Sequence, residues 1–292
     1  QGIPWLQGRI RQQLLGESNW SVEIETETGR ETCEADFIVE ARGRAAKLGG
    51  NTRERGPETV SLACNWQGKA GHPLTVVASL EQGWLWLARF DDGRLFSQFS
   101  THAKNPLLPA KDGIRPLIDR LLHDVCVPDA NLKERVSLGA PVARSSTAIL
   151  PGESYSRHCL RVGDAAMAVD PLSGNGIFQS LSSALAAAPV INTLLRRPDD
   201  GDMALAFYRD RLCHLFFRFA RVGRDFYQDE TRWPDQPFWL QRRDWPDNEP
   251  SHVEHDRVIG RAERPVIHHG FIEKRTVVLT EDQPLGAAHL AS

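Results

Sequence analysis

A short segment near the middle of the chain combines residue types that suit binding of a polyhydroxyl chain and an electron-rich carbonyl. Residues 161–177 read Arg-Val-Gly-Asp-Ala-Ala-Met-Ala-Val-Asp-Pro-Leu-Ser-Gly-Asn-Gly-Ile. Gly163 lets a ligand approach the backbone closely, and the Asp164 carboxylate can accept hydrogen bonds from hydroxyl groups. Gly174 and Gly176 leave the N–H groups at the start of a following helix unobstructed, where negative charge is favoured. The segment therefore predicts a binding site at a strand–loop–helix junction.

The elements that must position this segment follow from hydrophobic periodicity. Residues 159–162 read as a strand, and a helix is predicted to begin at about Ile177 and to be kinked by Pro189. Alternating or short apolar runs predict earlier strands over 20–24 and 35–41. Apolar residues at helical spacing predict a later helix over 205–226, which also carries five arginines. Its charged side is either a solvated face or a surface that docks a protein or peptide substrate.

A second group of strands precedes the segment. Residues 60–66 alternate, and 74–80, 84–90 and 94–100 follow, separated by Gly-containing turns. The pattern predicts an antiparallel meander of about four strands. An amphipathic helix over 114–125 comes next, with Asp112 as its N-cap and Pro116 in its first turn. The region from Arg232 onward, rich in Trp, Pro and charge, gives no clear prediction.

The segment 161–177 resembles the second flavin fingerprint of the FAD-dependent aromatic monooxygenases and halogenases, Gly-Asp-Ala-Ala followed by Pro-x-x-Gly-x-Gly. The resemblance implies that Asp164 holds the ribityl chain, that Pro171 lies beside the ring where oxygen reacts, and that amides of the loop face the pyrimidine end. Donors there would stabilise the negative charge of reduced flavin. The alternative is a Gly-rich turn without a ligand, which a lone Gly-Asp would favour and the whole fingerprint does not. The implied cofactor-binding residues are Gly163, Asp164, Pro171, Leu172, Gly174, Asn175, Gly176 and Ile177.

Three further stretches resemble the tryptophan-halogenase-like branch of this superfamily. Residues 35–44 resemble a family strand, although Arg42 stands where that strand has Asp or Thr. Gly-Trp-Leu-Trp at 83–86 resembles the Gly-Trp-x-Trp-x-Ile-Pro signature of the halogenases, but Ala-Arg replaces Ile-Pro here. The aromatic residues within 226–239 resemble the C-terminal pattern of the branch. Trp84 and Trp86 share one strand face and either line a substrate pocket or pack in the core.

The chain contains no Gly-x-Gly-x-x-Gly, the motif that binds the FAD pyrophosphate in this superfamily, and it begins at Gln1. We therefore expect it to be the interior of a longer gene product and to bind FAD weakly by itself. The implied fold is α/β: a Rossmann-like portion of an FAD domain, an antiparallel β substrate domain and C-terminal helices, as in the aromatic hydroxylases. The predicted divisions are 1–48 and 156–200 for the FAD domain, 49–155 for the substrate sheet, and 201–292 for a C-terminal helical region and tail.

Composition argues against several other classes of protein and of binding site. With 35 Lys and Arg against 38 Asp and Glu, the formal net charge is −3, which argues against a nucleic-acid partner. Five scattered Cys without a CxxC pair favour neither disulfides nor a zinc site, so a reducing, cytoplasmic compartment is expected. No uninterrupted apolar run reaches the ~18 residues of a membrane span. His252-x-x-His255 and His268-His269 read as solvated residues rather than metal ligands, because no fixed partner accompanies them.

The resemblance implies an FAD-dependent monooxygenase that hydroxylates an electron-rich aromatic ring. Loss of the halide-side signature favours indole or tryptophan as the substrate, including a tryptophan inside a protein during maturation of a quinone cofactor. NAD(P)H or a partner reductase would supply electrons, and the residues identify no catalytic base. The alternatives are a flavin-dependent halogenase and a flavin-free scaffold that chaperones a partner protein.

Overall fold

The first strands form an antiparallel sheet that is anchored by one tryptophan. A computed structural model describes residues 3–16, 19–46, 52–125, 134–152, 155–252 and 257–281 of the chain. The sheet has the order β1-β2-β3, and its strands are Arg9–Leu15 (β1), Trp20–Thr26 (β2) and Gly29–Ala35 (β3). The indole Nε1 of Trp20 donates to the His158 carbonyl at 2.7 Å, which fixes this sheet against the strands that carry the predicted site.

A small parallel pairing brings together two distant parts of the sequence. Ile38–Glu40 (β4) runs parallel to Cys159–Arg161 (β13), and Tyr155–Ser156 (β12) pairs antiparallel on the other side of β13. Parallel strands end at the same sheet edge. The segments that follow β4 and β13 are therefore neighbours, and both were singled out in the sequence.

A five-stranded antiparallel sheet forms the middle of the chain, but its order is not the predicted meander. The order is β10-β6-β9-β8-β7, so β6 pairs with β9 and not with β7. The reason is that the loop after β6 carries the chain to the far edge of the sheet. In this loop the Gly68 amide donates to the Gly93 carbonyl, and the Gly71 amide donates to the Asp91 carbonyl. The strands are Thr59–Gln67 (β6), Leu74–Leu80 (β7), Gly83–Arg89 (β8), Arg94–His102 (β9) and Val136–Ser145 (β10).

One helix, Ile114–Asp124 (α1), covers a face of this sheet. Its Ile118 and Leu122 are almost fully buried against strand residues such as Leu85 and Leu87. The predicted cap is wrong: Gly113 occupies the N-cap position, and Asp112 lies in a 3₁₀ turn just before it. Pro116 does lie in the first turn, where its missing N–H costs nothing. The strands Thr52–Arg55 (β5) and Ile149–Pro151 (β11) pair beside this sheet.

Two long helices build the second core. Gly176–Arg196 (α2) continues through Pro189, and Gly201–Asp229 (α3) packs along it. Of the described helices, α2 is the one whose length and composition would allow a membrane span, and 44% of its apolar window is buried inside the protein. The core between the helices and β13 contains Leu160, Met167, Val190, Tyr208, Leu212 and Phe216.

The C-terminal region contains a helix and a long hairpin that were not predicted. The helix is Pro237–Arg243 (α4), and the hairpin strands are Val258–His268 (β14) and Phe271–Thr280 (β15). The hairpin packs on the α2–α3 pair with Ile272 fully buried. Most β14 side chains are exposed or only half-buried, so the strand lacks the apolar alternation by which sequence reasoning finds strands.

Candidate active site

The predicted binding segment begins in a tight turn directly after β13. Gly163 has φ +60°, a left-handed conformation that favours glycine, and starts a 3₁₀ turn through Ala165. Its amide donates to the Ser183 Oγ on α2 at 2.8 Å. A Cβ at this position would stand 3.4 Å from the Ser180 Oγ. The turn is thus held against α2 by both its conformation and its hydrogen bond.

The Asp164 carboxylate lies at the surface and is oriented by an arginine from the neighbouring segment. The Arg44 Nε is 3.3 Å from the Asp164 Oδ2, and the Asp164 side chain keeps 38% of its exposure. The same guanidinium donates to the carbonyls of Thr147 and Val169. Burial lowers the pKa of Arg44, while Asp164 raises it. The carboxylate is therefore fixed in direction and still available to a ligand.

Arg42, which departs from the family pattern, makes a different contact. Its guanidinium bonds both carboxylate oxygens of Glu40, with Nε at 2.9 and 3.0 Å. The side-chain hydrogen bond from Arg42 lowers the pKa of Glu40. Arg44, which sequence reasoning did not single out, is the residue that reaches the predicted site.

The loop between the turn and α2 is ordered by a buried aspartate. Asp170 Oδ1 accepts from the Leu172 amide at 2.9 Å, and its carbonyl accepts from the Ser173 Oγ at 2.7 Å. The Asn175 Nδ2 then donates to the Ser173 carbonyl at 2.6 Å. Pro171 opens the 3₁₀ turn, and Gly174 closes it with φ +69°. These local bonds set the loop conformation before any ligand arrives.

The start of α2 offers open backbone donors. The first amide bonded within the helix is that of Gln179, which reaches the Asn175 carbonyl, and no side chain caps the helix. The amides of Gly176, Ile177 and Phe178 have no hydrogen-bond partner among the described residues. A Cβ placed on Gly174 or on Gly176 would meet no atom within 4 Å. An uncapped N-terminus of this kind favours an anion or a polarised carbonyl.

A buried polar cluster connects the loop to the five-stranded sheet. The Tyr227 hydroxyl lies 3.1 and 3.2 Å from the two oxygens of Asp170, and the Trp84 Nε1 donates to that hydroxyl at 3.3 Å. Burial raises the pKa of Asp170, against the lowering effects of the Leu172 amide, Arg242 and Tyr227. Burial also raises the pKa of Tyr227 well above its usual value. Sequence reasoning missed Asp170, although its position before Pro171 was a signal.

The two predicted pocket tryptophans share one face, as expected from their spacing. Trp84 is 4% exposed and packs with Tyr227, Phe238 and Trp239, while Trp86 is half-buried at the edge of the same cluster. Leu172 of the loop also packs there. The buried Arg242 guanidinium lies 3.9 Å from the centre of the Phe238 ring.

A cavity of about 690 Å³ is lined by residues of α2, α3 and β14. Asn175, just before α2, and Phe178 of α2 line it, and neither Trp84 nor Trp86 is among the described lining residues. Within the described part of the chain, no group of three or more His, Cys, Asp or Glu could hold a metal ion. His268 instead lies 3.0 Å from Glu273, and His255 falls outside the described residues.

No family model matches the chain. The solved peptidyl tryptophan dihydroxylase QhpG, described as essential for tryptophylquinone cofactor biogenesis, is 46% identical over 98% of this chain with a TM-score of 0.82. The putative FAD-dependent oxidoreductase LodB of Marinomonas mediterranea is 24% identical over 80% of the chain. A tryptophan 2-halogenase of Chondromyces crocatus is 25% identical over 77% of it.

The chain spans 65% of the QhpG structure, 64% of LodB and 45% of the halogenase. Structures of other flavin-dependent halogenases share the fold at lower identity. The α/β fold with antiparallel sheets and C-terminal helices agrees with the sequence-based expectation. In sequence and in fold, the chain is similar to FAD-dependent hydroxylases and halogenases.

Proposed function

We propose that this chain is part of an FAD-dependent monooxygenase that hydroxylates a tryptophan within a polypeptide. The observation that carries the proposal is the loop from Gly163 to Ile177, in which an oriented carboxylate and open helix amides lie at the ends of one ordered segment. A carboxylate suits the hydroxyls of a ribityl chain, and open amides suit the carbonyl end of a flavin ring. A Gly-rich turn without a ligand needs neither feature.

The residues present fit a flavin. The empty space around the missing Cβ atoms of Gly174 and Gly176 gives a planar ring access to the backbone amides. Asp164 would hold the ribityl chain, the open amides of Gly176 and Ile177 would face the pyrimidine end, and Pro171 and Leu172 would lie beside the ring. The amides of Gly174 and Asn175, which the sequence also implied, bond instead to the Pro171 carbonyl and the Ser173 Oγ. FAD would supply the redox chemistry by carrying electrons to oxygen.

The chain's own residues would position the cofactor and keep water away. Asp170 holds the loop through the Leu172 amide, and Tyr227 ties Asp170 to Trp84 on the sheet. Leu172 packs against the buried aromatic cluster, so solvent is excluded from that side of the loop. We place a substrate indole on the Trp84–Trp86 side, where Trp86 is half-buried.

The parallel pairing of β4 with β13 supports the proposed division of the chain. Residues 1–48 and 156–200 would form part of an FAD domain around a substrate sheet in 49–155, followed by the C-terminal region 201–292. The pairing of β4 with β13 brings Arg44 beside Asp164. Residues from both parts of the proposed FAD domain therefore lie at the candidate site.

The proposed substrate rests on the 46% identity with a peptidyl tryptophan dihydroxylase. By that relation we propose a tryptophan-containing protein or peptide as partner, NAD(P)H or a partner reductase as electron source, and a cytoplasmic location. The test mixes the protein with excess FAD, a flavin reductase, NADH, oxygen and a Trp-containing peptide, and reads the peptide mass. A gain of one or two oxygen atoms on the Trp is expected. Flavin turnover with an unchanged peptide would remove the hydroxylase assignment.

A halogenase is the second candidate, because Gly83, Trp84 and Trp86 match the halogenase signature at three positions. The same reaction run with bromide in place of chloride separates the two activities. A hydroxylase product has the same mass in both salts, whereas a halogenase product differs by the halogen. A full-length protein that shows no flavin absorption bands would instead support the scaffold alternative.

A further inference from the structure

The arginines of α3 divide into two groups by their partners. Three of them have a carboxylate partner: Arg209 with Asp210 at 2.7 Å, Arg221 with Asp247 at 2.9 Å, and Arg224 with Asp225 at 2.7 Å. The remaining two, Arg211 and Arg218, have no carboxylate partner among the described residues. Both line the cavity between α2, α3 and β14. Within the described residues, the α3 arginines without a carboxylate partner therefore both lie in the wall of this cavity.

Among the described residues, the hydrogen-bond partner that holds Arg211 in the cavity wall is neutral. Its guanidinium donates to the Ser182 Oγ at 2.8 Å, and its buried Nε has no hydrogen-bond partner in the part of the chain that the structure describes. Burial lowers the pKa of Arg211, and only Tyr208 opposes this effect. A buried donor without an acceptor is costly, so an anionic group beside it would be stabilised.

The charge that the described lining residues contribute to the cavity is positive. Arg264 of β14 also lines it and makes no ion pair within the described ranges. Among the described residues, Asp210 is the one carboxylate of the lining, and it pairs with Arg209 at 2.7 Å. The chain as a whole has a net charge of −3, so this is a local excess and not a general property.

Apolar side chains complete the lining. Phe178 of α2 and Phe219 of α3 meet edge-to-face with ring centres 6.4 Å apart, and Phe207, Val222 and Pro265 extend the apolar surface. The volume of about 690 Å³ is enough for several side chains of a peptide. Arginine with aromatic residues is a common combination at polypeptide interfaces.

We infer that this cavity docks an acidic segment of the polypeptide substrate, with its carboxylates on Arg211 and Arg218 and an apolar side chain on Phe178 and Phe219. The inference rests on the proposed function, since it assigns a place to the partner of that reaction. Asn175 belongs both to the flavin loop and to the cavity wall, so a segment bound here would lie next to the site of chemistry. On this inference, the side of α3 that carries Arg211 and Arg218 is a docking surface and not a solvated face.

The test measures peptide binding to the protein without flavin. The probe is a fluorescein-labelled Glu-Glu-Trp-Glu-Glu peptide followed by fluorescence anisotropy, beside a Gln-Gln-Trp-Gln-Gln peptide of equal length. We expect the acidic peptide to bind about tenfold more tightly than the neutral one, because charge-assisted hydrogen bonds are lost in the latter. Equal binding of the two peptides would overturn the inference.

Two matched variants locate the binding. Arg218→Gln should weaken the acidic peptide by about tenfold, while Arg196→Gln, an exposed arginine at the far end of α2, should change it by less than about twofold. Thermal unfolding of both variants verifies that each is folded. Equal weakening by the two variants would show general charge attraction and contradict the cavity as the site.

Two further measurements separate this inference from the proposed function. If indole-3-acetate binds as tightly as the acidic peptide, the cavity is a site for a small acid and the docking assignment is wrong. Peptide binding that depends on Arg218, in a protein that fails to hydroxylate the peptide, would support docking and count against the monooxygenase. Hydroxylation unaffected by Arg218→Gln would support the monooxygenase and count against docking.

Discussion

At the scale of single residues, the candidate site contains one buried carboxylate, Asp170, and one partly exposed carboxylate, Asp164. The turn that carries Asp164 could be predicted, because Gly163 follows a short apolar run in the sequence; the role of Asp164 as a flavin ligand stays a prediction. The role of Asp170 could not be predicted, since its partner Tyr227 lies 57 residues away and only the fold brings them together. Arg44 was missed for the same reason: its contact with Asp164 depends on the parallel pairing of β4 and β13.

Replacement of Tyr227 by Phe should destabilise the protein. The change removes the hydroxyl that contacts both oxygens of Asp170 and accepts from Trp84, so two buried polar groups lose a partner at a cost of about 1–3 kcal/mol. Urea unfolding measures the loss. The control is Tyr155→Phe, because the Tyr155 hydroxyl makes no hydrogen bond among the described residues. Equal destabilisation by both variants would contradict the role of the cluster.

The destabilisation caused by Tyr227→Phe should depend on pH, in a direction that follows from the raised pKa of Asp170. The folded-state pKa of Asp170 is raised, so its contribution to stability is fully present below its ordinary pKa and is lost as pH rises through the folded-state value. Loss of the Tyr227 donor raises that pKa further. The destabilisation by Tyr227→Phe should therefore be greater at neutral pH than in mild acid. The opposite trend would mean that Asp170 is not the group affected.

Glu273 should contribute to stability in the opposite pH direction. Hydrogen bonds from Arg197, Arg275 and His268 lower its pKa to about 2. Its contribution is present above the ordinary value of 4.5 and is lost as pH falls from about 4.5 to about 2. In acid unfolding, the Glu273→Gln variant should not show this loss of stability between about pH 4.5 and about pH 2. Glu263→Gln, an exposed residue of the same hairpin, should retain it; an identical profile for both variants would contradict the assignment.

At the scale of elements, the sequence predicted what depends on local periodicity and missed what depends on distant pairing. The strands 74–80 and the helix 114–125 agree with β7 and α1, because alternation and helical spacing are local properties. The order of the sheet was wrong, since the glycine contacts that carry the loop after β6 leave no periodic trace. The β14–β15 hairpin was missed because few of its side chains are buried.

The hairpin is joined to α2 by a buried threonine, which gives an element-scale prediction. The Thr193 Oγ1 accepts from the Ile272 amide at 2.9 Å and donates to the Pro189 carbonyl at 2.8 Å. Thr193→Val keeps the shape and leaves the Ile272 amide unpaired, which should cost about 1–3 kcal/mol. Thermal unfolding measures it, with the exposed Thr75→Val of β7 as control. A variant as stable as the control would show that this bond does not fix the hairpin.

At the scale of the whole molecule, the fold makes one site from segments that are far apart in the sequence. The parallel pair β4–β13 places Arg44 at Asp164, and α3 places Tyr227 at Asp170. Residues of α2, α3 and β14 line the cavity that contains Arg211 and Arg218. The loop from Gly163 to Ile177 thus contacts the aromatic cluster through Leu172 and the cavity through Asn175.

Replacement of Asp164 by Asn should weaken flavin binding without loss of the fold. Asp164 is the carboxylate proposed to hold the ribityl chain, and a charged acceptor contributes about 1.5–3 kcal/mol, so a loss of about tenfold or more in riboflavin affinity is expected. Quenching of riboflavin fluorescence measures it. Asp202→Asn is the control, because Asp202 also pairs with an arginine but lies at the surface of α3. The same affinity in the two variants would remove Asp164 from the site.

The central claim is that the segment from Gly163 to Ile177 binds the flavin. Hydrogen–deuterium exchange of the protein, with and without saturating FAD, tests it most directly. We predict slower exchange on adding FAD at the open amides of Gly176, Ile177 and Phe178 and in the turn at Gly163, with little change in the β14–β15 hairpin. Unchanged exchange in this segment while FAD is bound would contradict the account.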